Sequence, residues 1–506
     1  MSQDEPAAVE IATADAGVWR YAKASRAHVI VDCAEYFCWM REAMLAAEQR
    51  ILIVGWDFDT RVRIHNIEPG QKRGRGDPPD RLAEFIPWLV HRKPGLEVHL
   101  LKWNFGMLKM FVRGLMPLHL LRWWWNPRIH IKFDSAHPVG CSHHQKIVVI
   151  DDTFAVCGGI DMTSSRWDTP DHVEDDPRRK LPNGKLYGPW HDATMAVEGD
   201  VARVLGDYGR LRWKQAGGDP MEPCPVRDGS PWPEALSTEY RDVDVGLSRT
   251  QAAHDGIAEV VEIEALFIEQ IARAKRFIYA ESQYFASRRI AEAISLRLEQ
   301  PDPPEIVLIN PETAEGWLEQ AAMDGARIRL LAAIGGTDPG HRFSIWCPYA
   351  SNGTAIYVHS KLMIIDDEIV RVGSANFNNR SMGLDSEFDV FIDAARSGGD
   401  PAREAIRRLR VTLLAEHTGQ DFATMEALLA THGGAMATAL DAAPKDGKRL
   451  VRFKPRELSD TEKAIADNEA LDPERPEEML SFYKKGGLFR SSIMRKARRR
   501  MLRIKQ

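Results

Sequence analysis

Two hydrophobic rhythms alternate along this chain. Short apolar runs such as EVHLLKW, RIHIKF, EIVLI and RIRLLAA read as strands, and stretches such as IAEAISLRLEQ carry the period of an amphipathic helix. The alternation predicts an α/β fold with mixed sheets covered by helices. One succession of elements occurs twice. Glu35 to Phe58 (EYFCWMREAMLAAEQRILIVGWDF) and Val261 to Phe285 (VEIEALFIEQIARAKRFIYAESQYF) each offer a helix, a basic residue (Arg50, Arg276) and a short apolar strand. Each is followed, after an α/β-patterned stretch, by a strand bearing histidine: HHQKIVVIDD from His143 to Asp152, and VHSKLMIIDD from Val358 to Asp367. Duplication accounts for a shared order better than chance does.

Between the copies, Lys214 to Pro233 is dense in Pro and Gly and poor in periodic apolar residues, as a connection is. The expected organisation is an N-terminal extension over 1–24, a first half over 25–213, a linker over 214–249, a second half over 250–430 and a helical, basic tail over 431–506. In that tail, from Leu488 onward no acidic residue occurs, and Phe489, Ile493, Ala497, Met501 and Ile504 fall on one helical stripe. Such a helix suits an anionic membrane surface; a solvated charged terminus or a helix docked on its own domain are the alternatives.

Composition changes the picture only at a few points. A length of 506 residues leaves ample material for two core-sized units and a cleft. The formal net charge of −6 gives no argument for nucleic acid. The acidic start MSQDEPAAVEIATADAG lacks the features of a signal peptide. No apolar run reaches the roughly 18 residues of a membrane span, since Lys109, Arg113, His119 and Arg122 interrupt Phe105 to Trp125. A cytoplasmic protein, peripheral at a membrane, is the expectation, with secretion by a route without a signal peptide as the alternative. Six scattered cysteines without a CxxC pair read as buried free thiols. The Trp123-Trp124-Trp125 cluster suits a buried helix end, or a lipid anchor if the rings face an interface.

The chemistry sits in the two histidine strands. Both fit His-x-Lys-x-x-x-x-Asp: His144, Lys146, Asp151 and His359, Lys361, Asp366. On a strand, positions i and i+2 share a face, so each His and its Lys point together. A cation beside an imidazole is what a phosphodiester requires, the lysine neutralising nonbridging oxygens while the imidazole does covalent or proton-transfer work. At an odd offset, Asp151 and Asp366 face the other side of the strand, and a structural hydrogen-bonding role is the expectation for them within the catalytic motif. Beyond each Asp comes a small-residue turn, Gly158-Gly159-Ile160-Asp161 and Gly373-Ser374-Ala375-Asn376, which would let backbone and one polar side chain approach a phosphate. A lone motif of this kind is weak; two copies with the turn at the same offset are strong.

At this point the chain resembles the phospholipase D superfamily. Tyr357 to Glu387 (YVHSKLMIIDDEIVRVGSANFNNRSMGLDSE) looks like the second catalytic motif of its phosphatidylcholine-cleaving branch. GGIDMTSSRWDTPDH, PWHD at Pro189 to Asp192, YAESQYF and AEH resemble that branch's ancillary signatures, and the resemblance covers about residues 25 to 430. It implies two α/β/α halves about a pseudo-twofold axis, with a cleft where the motifs meet. It further implies a phosphohistidine mechanism with no metal and no cofactor, His144 as nucleophile and His359 as general acid and base. From the residues alone the two histidines are interchangeable. Lys146, Lys361, Asn376 and Ser374 are the phosphate-binding candidates, and Asp192 and Glu387 resemble the acids that orient the histidines. Two departures stand out: Asp161 lies where many members carry an Asn like Asn376, and Gly55 lies where the other half is read to hold Glu281.

The implied substrate is a glycerophospholipid at a membrane surface, cleaved by a monomer holding both halves, with no nucleic-acid partner. A cardiolipin-synthase-like transferase is the runner-up, a nuclease comes third, and an inactive membrane-binding scaffold is the non-enzymatic alternative. Undiminished activity in chelator is expected.

Overall fold

The computed structural model describes residues 17–64, 76–104, 114–315, 317–457 and Asp472. The first half contributes β1 (Arg20–Val31), β2 (Arg50–Gly55), β3 (Glu97–Trp103), β4 (Ile129–Asp134), β5 (Ile147–Ile150), β6 (Phe154–Gly158), β7 (Trp190–His191) and β8 (Ala193–Glu198). The second contributes β9 (Tyr240–Gln251), β10 (Val260–Val261), β11 (Phe277–Glu281), β12 (Glu305–Ile309), β13 (Phe343–Tyr349), β14 (Tyr357–Val358), β15 (Leu362–Ile365), β16 (Ile369–Gly373) and β17 (Glu387–Asp393), followed by β18 (Arg449–Arg452).

All but β7 and β14 join one 16-stranded sheet. Its centre is the antiparallel pair β1 and β9, in register from Arg20 opposite Leu247 to Ala27 opposite Tyr240. Outward from that pair the order is β8, β6, β5, β2, β3, β4 on one side and β17, β16, β15, β11, β12, β13 on the other. Strand directions correspond too: β2, β3 and β4 run parallel, as do β11, β12 and β13, and the inner pairs are antiparallel. The seven strands on either side of the centre thus follow the same order, while β10 and β18 belong to the second side alone.

Helices cover both faces, so successive residues of one strand enter different cores. In β2, Leu52 and Val54 join a core under the helices Asp200–Gln215 and Gly399–Thr418, while Ile51 and Ile53 pack under Cys33–Ala46 and Leu82–Arg92. Burial on both faces explains why these strands read as continuous apolar runs.

Several sequence expectations shift. RIRLLAA lies within the helix Trp317–Gly335, where Arg327, Leu330 and Ile334, spaced by about one helical turn, are buried. Residues 240–249, expected in the linker, form most of central strand β9, and β1 starts inside the expected extension at Arg20. The early tail adds β18 to the edge of β13, whereas the basic stripe from Leu488 lies outside the described residues. The tryptophan cluster divides: Trp123 is buried and donates Nε1–H to Ala83 O at 3.0 Å, while Trp124 and Trp125 are 69% and 77% exposed. Among the described residues, no helix is long and apolar enough to cross a membrane.

Candidate active site

Each motif enters the sheet one residue after its lysine, β5 beginning at Ile147 and β15 at Leu362. The His and Lys therefore stand on the lead-in to the strand and not on its ladder. That lead-in is held by the opposite half. His144 N donates to Ser386 O at 2.8 Å, and His359 N donates to His191 O at 2.8 Å. The next residue in each case is an acid, and it takes the histidine's side chain. His144 Nδ1 lies 3.1 and 3.0 Å from the Glu387 oxygens, and His359 Nδ1 lies 2.7 Å from Asp192 Oδ2. Both sequence-predicted acids thus reach a motif histidine, each across the boundary between halves. The β7–β14 ladder, which sets Tyr357 opposite Trp190 and Val358 opposite His191, fixes one of these crossings.

With Nδ1 committed to a carboxylate, Nε2 is the nitrogen left for chemistry on both rings. Side-chain exposure is 14% at His144 and 7% at His359. Each ring rests on an indole: Trp56 edge-on to His144 at 6.0 Å, and Trp190 tilted against His359 at 5.1 Å. The lysines curl back, Lys146 Nζ donating to His144 O at 2.7 Å and Lys361 Nζ donating to His359 O.

Glu387 is buried and accepts hydroxyl bonds from Ser374 at 2.5 Å and Ser381 at 2.7 Å. Burial pushes its carboxyl up, to about 8, while those hydroxyls favour the charged form. Burial likewise raises Asp192. His144 is held well below the ordinary imidazole range, first by burial and then by Lys146 and Lys361. His359 is lowered in the same sense by burial, Lys361, Arg166, Lys146 and His144. Each imidazole therefore feels the other half's lysine, so the two motifs share one electrostatic environment.

Asp151 and Asp366 take the structural hydrogen-bonding role expected of them, and three other sequence assignments need correcting. Asp151 and Asp366 stand at the far end of their strands, away from the histidines. The Asp151 carboxylate accepts the backbone N–H groups of Glu48, Gln49 and Arg50 at 2.7, 2.8 and 2.7 Å, and Asp366 those of Lys275, Arg276 and Phe277 at 2.7, 2.8 and 2.8 Å. They pin the start of the neighbouring strand and touch no reacting group. Ser374, read as a phosphate ligand, spends its hydroxyl on Glu387 and accepts Phe388 N–H at 3.0 Å. The glycines of the small-residue turns make room for side chains of the adjacent strand, since a Cβ on Gly159 would overlap the Asp192 carboxylate and one on Gly373 would overlap Asp389. Finally, the register sets Val54 opposite Ile147 and Glu281 opposite Leu362, so the counterpart of Glu281 is Val54 and not Gly55.

The polar groups beside the two motif lysines differ between halves. Asn376 Nδ2 and Lys361 Nζ both lie 3.5 Å from Gln283 Oε1, and Asn376 Oδ1 has no hydrogen-bond partner among the described residues. In the first half Asp161 pairs with Lys146 at 3.2 Å and accepts the N–H groups of Trp56 and Asp57. The aspartate that departs from the family's Asn is thus already matched to a lysine. Gln283, Trp56, Ser381 and Arg166, whose guanidinium sits 4.0 Å over the Trp190 ring, were not singled out from sequence. Their only signal was membership of the quoted strings, Trp56 in the first repeat segment and the others in the signature motifs.

The model of the family described as Phospholipase D matches residues 344–473, and that described as Cardiolipin synthase, PLD-like domain, matches residues 267–408. Phospholipase D alpha 1 of Nicotiana tabacum is 26% identical, over 76% of this chain and 64% of its own length. Phospholipase D A of Dictyostelium discoideum is 25% identical, over 77% of this chain and 35% of its own length. The chain thus spans at most 64% of either relative. The crystal structure of phosphatidylserine synthase from Haemophilus influenzae Rd KW20 shares the fold at a TM-score of 0.50 and 14% identity, covering 82% of this chain and 94% of that one. An alignment over 76% of the chain is too long to lie within one half. Over most of its length the chain is thus similar to phospholipases D, and both family models fall in its second half.

Proposed function

We propose that the chain is a phospholipase D: it cleaves the distal phosphodiester of a glycerophospholipid, giving phosphatidic acid and a head-group alcohol. The observation that carries this reading is the pair of cross-half contacts, His144 with Glu387 and His359 with Asp192, which leave two Nε2 atoms beside two lysines. In the first step His144 Nε2 attacks phosphorus, the P–N bond forms as the P–O bond to the head group breaks, and His359 gives its proton to the departing alkoxide. In the second, His359 takes a proton from water, whose oxygen attacks phosphorus and releases His144. In this reading Lys146 and Lys361 offset nonbridging oxygen charge, with Asn376 as a hydrogen-bond donor. The assignment of nucleophile and acid follows the family resemblance, and both halves acting in one chain supports a monomer working at a membrane surface.

The test is purified protein on mixed liposomes, with released head groups and lipid products read by mass spectrometry, beside His144→Asn. Phosphatidic acid from the parent and none from a folded His144→Asn variant is the expected result. No turnover by either would leave the inactive scaffold as the better reading, and equal turnover by both would remove His144 from the reaction. The matched Cardiolipin synthase, PLD-like domain favours a second reading, in which a lipid alcohol replaces water in the second step. A product made by joining two lipids, exceeding phosphatidic acid in the same assay, would select it.

A further inference from the structure

Behind His359, away from the reacting nitrogens, four side chains from distant segments converge. Asp32 follows β1, His172 lies on the segment between β6 and β7, His191 ends β7, and Glu416 sits in the last turn of the helix Gly399–Thr418 of the other half. Their relative exposures are 0%, 1%, 0% and 8%. His172 Nε2 is 3.1 Å from Glu416 Oε1 and 3.7 Å from Asp32 Oδ2. His191 Nδ1 is 2.8 Å from the same Glu416 oxygen and 3.3 Å from Asp32 Oδ1. A tetrahedral ion with bonds of about 2.0–2.1 Å holds its ligand atoms about 3.3 Å apart, and these separations scatter around that value.

The surroundings are those of a coordinated imidazole. On each ring the other nitrogen meets a carboxylate, His172 Nδ1 at 3.0 Å from Asp168 and His191 Nε2 at 2.9 Å from Glu281. Those carboxylates are themselves fixed, Asp168 by Arg179 at 3.1 Å and Glu281 by His417 Nε2 at 3.0 Å and the Tyr279 hydroxyl at 2.5 Å. Such an outer ring sets the tautomer that presents a lone pair to a metal. Asp32 Oδ2, fully buried and facing the cluster, has no hydrogen-bond partner among the described residues. An orphaned buried polar atom is costly, and an ion would satisfy it.

We infer that Asp32, His172, His191 and Glu416 bind one divalent ion of the zinc class. Two imidazoles with two carboxylates fit such an ion better than calcium or magnesium, which take oxygen ligands in larger number. Four protein ligands close the coordination sphere, so the ion is structural and takes no part in the reaction. On entry it displaces the proton from the inward nitrogen of each ring. It ties β1, β7 and the intervening segment to a helix of the second half. His191 is followed directly by Asp192, whose N–H is 3.2 Å from Asp32 Oδ1, so the ion would also stiffen the residue that holds His359.

The test needs no substrate, and its outcome is separate from that of the lipase proposal. Tag-free full-length protein is produced in zinc-supplemented medium, and its metal content is measured by inductively coupled plasma mass spectrometry beside His172→Gln and Glu416→Gln. One zinc per parent chain and its loss from both variants is the expected result, with parent protein grown on cobalt showing the intense visible bands of a tetrahedral site. A parent chain free of metal overturns the inference, as does zinc retained by both folded variants. Should the variants not fold, the cobalt spectrum of the parent decides, an octahedral spectrum counting against the site.

Discussion

Glu387, in the second half, places both carboxylate oxygens within 3.1 Å of Nδ1 of His144, in the first. Asp192 does the reverse for His359 at 2.7 Å. Neither half therefore owns a complete reactive histidine, which gives a physical reason for both copies to remain in one chain. Replacing Glu387 by Gln keeps an acceptor near Nδ1 and removes the charge that steadies a developing imidazolium. Glu387→Gln and Asp192→Asn are each expected to lower kcat by roughly 10²- to 10⁴-fold. Because both act on one phosphorus, the double variant should lose less than the product of the single losses. Head-group release under saturating lipid reads all three, and single variants within threefold of the parent would show that the acids do not orient the rings.

The nucleophile is identified by what accumulates. With a phosphatidyl ester of p-nitrophenol, whose leaving group needs no proton, His359→Ala should form the P–N bond and stall for want of a base, adding one phosphatidyl group to the mass of the intact protein. His144→Ala should show no adduct on the same substrate. The opposite pattern would exchange the two roles without disturbing the geometry.

How far the site was legible depends on the range of the contact. His144 and Lys146, like His359 and Lys361, stand two residues apart on the lead-in to a strand, so local spacing was enough to find both pairs. Asp192 and Glu387 were visible as acids opening an apolar strand, but which histidine each serves depends on a crossing between segments 167 and 243 residues apart, and no local pattern encodes it. The register of β2 against β11 slipped by one residue in the reading, because a run of apolar residues aligns almost equally well either way. RIRLLAA was misread for a related reason: a short apolar run between basic residues fits both periods, and only the surrounding length of Trp317–Gly335 decides for helix.

Asp151 and Asp366 separate folding from chemistry within one motif. Each carboxylate accepts three backbone N–H groups and has a positive φ, 52° at Asp151 and 55° at Asp366. Asp151→Ala is expected to cost about 1.5–3 kcal/mol of stability, in the range for hydrogen bonds to a charged group. Denaturant unfolding measures that loss, and kcat of the folded fraction at low temperature should stay within about threefold of the parent. A well-folded Asp151→Ala protein with turnover reduced a thousandfold would return this aspartate to the reacting centre.

Both imidazoles are held below their ordinary range by burial and by shared cations, and this fixes the sign of the pH dependence. Attack requires His144 without its Nε2 proton, a form that grows as pH rises through a pKa below the usual value of about 6.5. Protonation of the leaving group requires His359 with its proton, a form that is lost as pH rises through a pKa also below that value. Since kcat/KM reports the free enzyme, its maximum should lie on the acid side of about 6.5, with the alkaline limb set by His359. Arg166 is one of the cations depressing His359, so Arg166→Gln should move that limb to higher pH. The measurement is kcat/KM on a soluble short-chain phospholipid across the pH range for both proteins. A parent maximum well above neutrality, or a limb unmoved in Arg166→Gln, would mean that some group other than His359 supplies the proton.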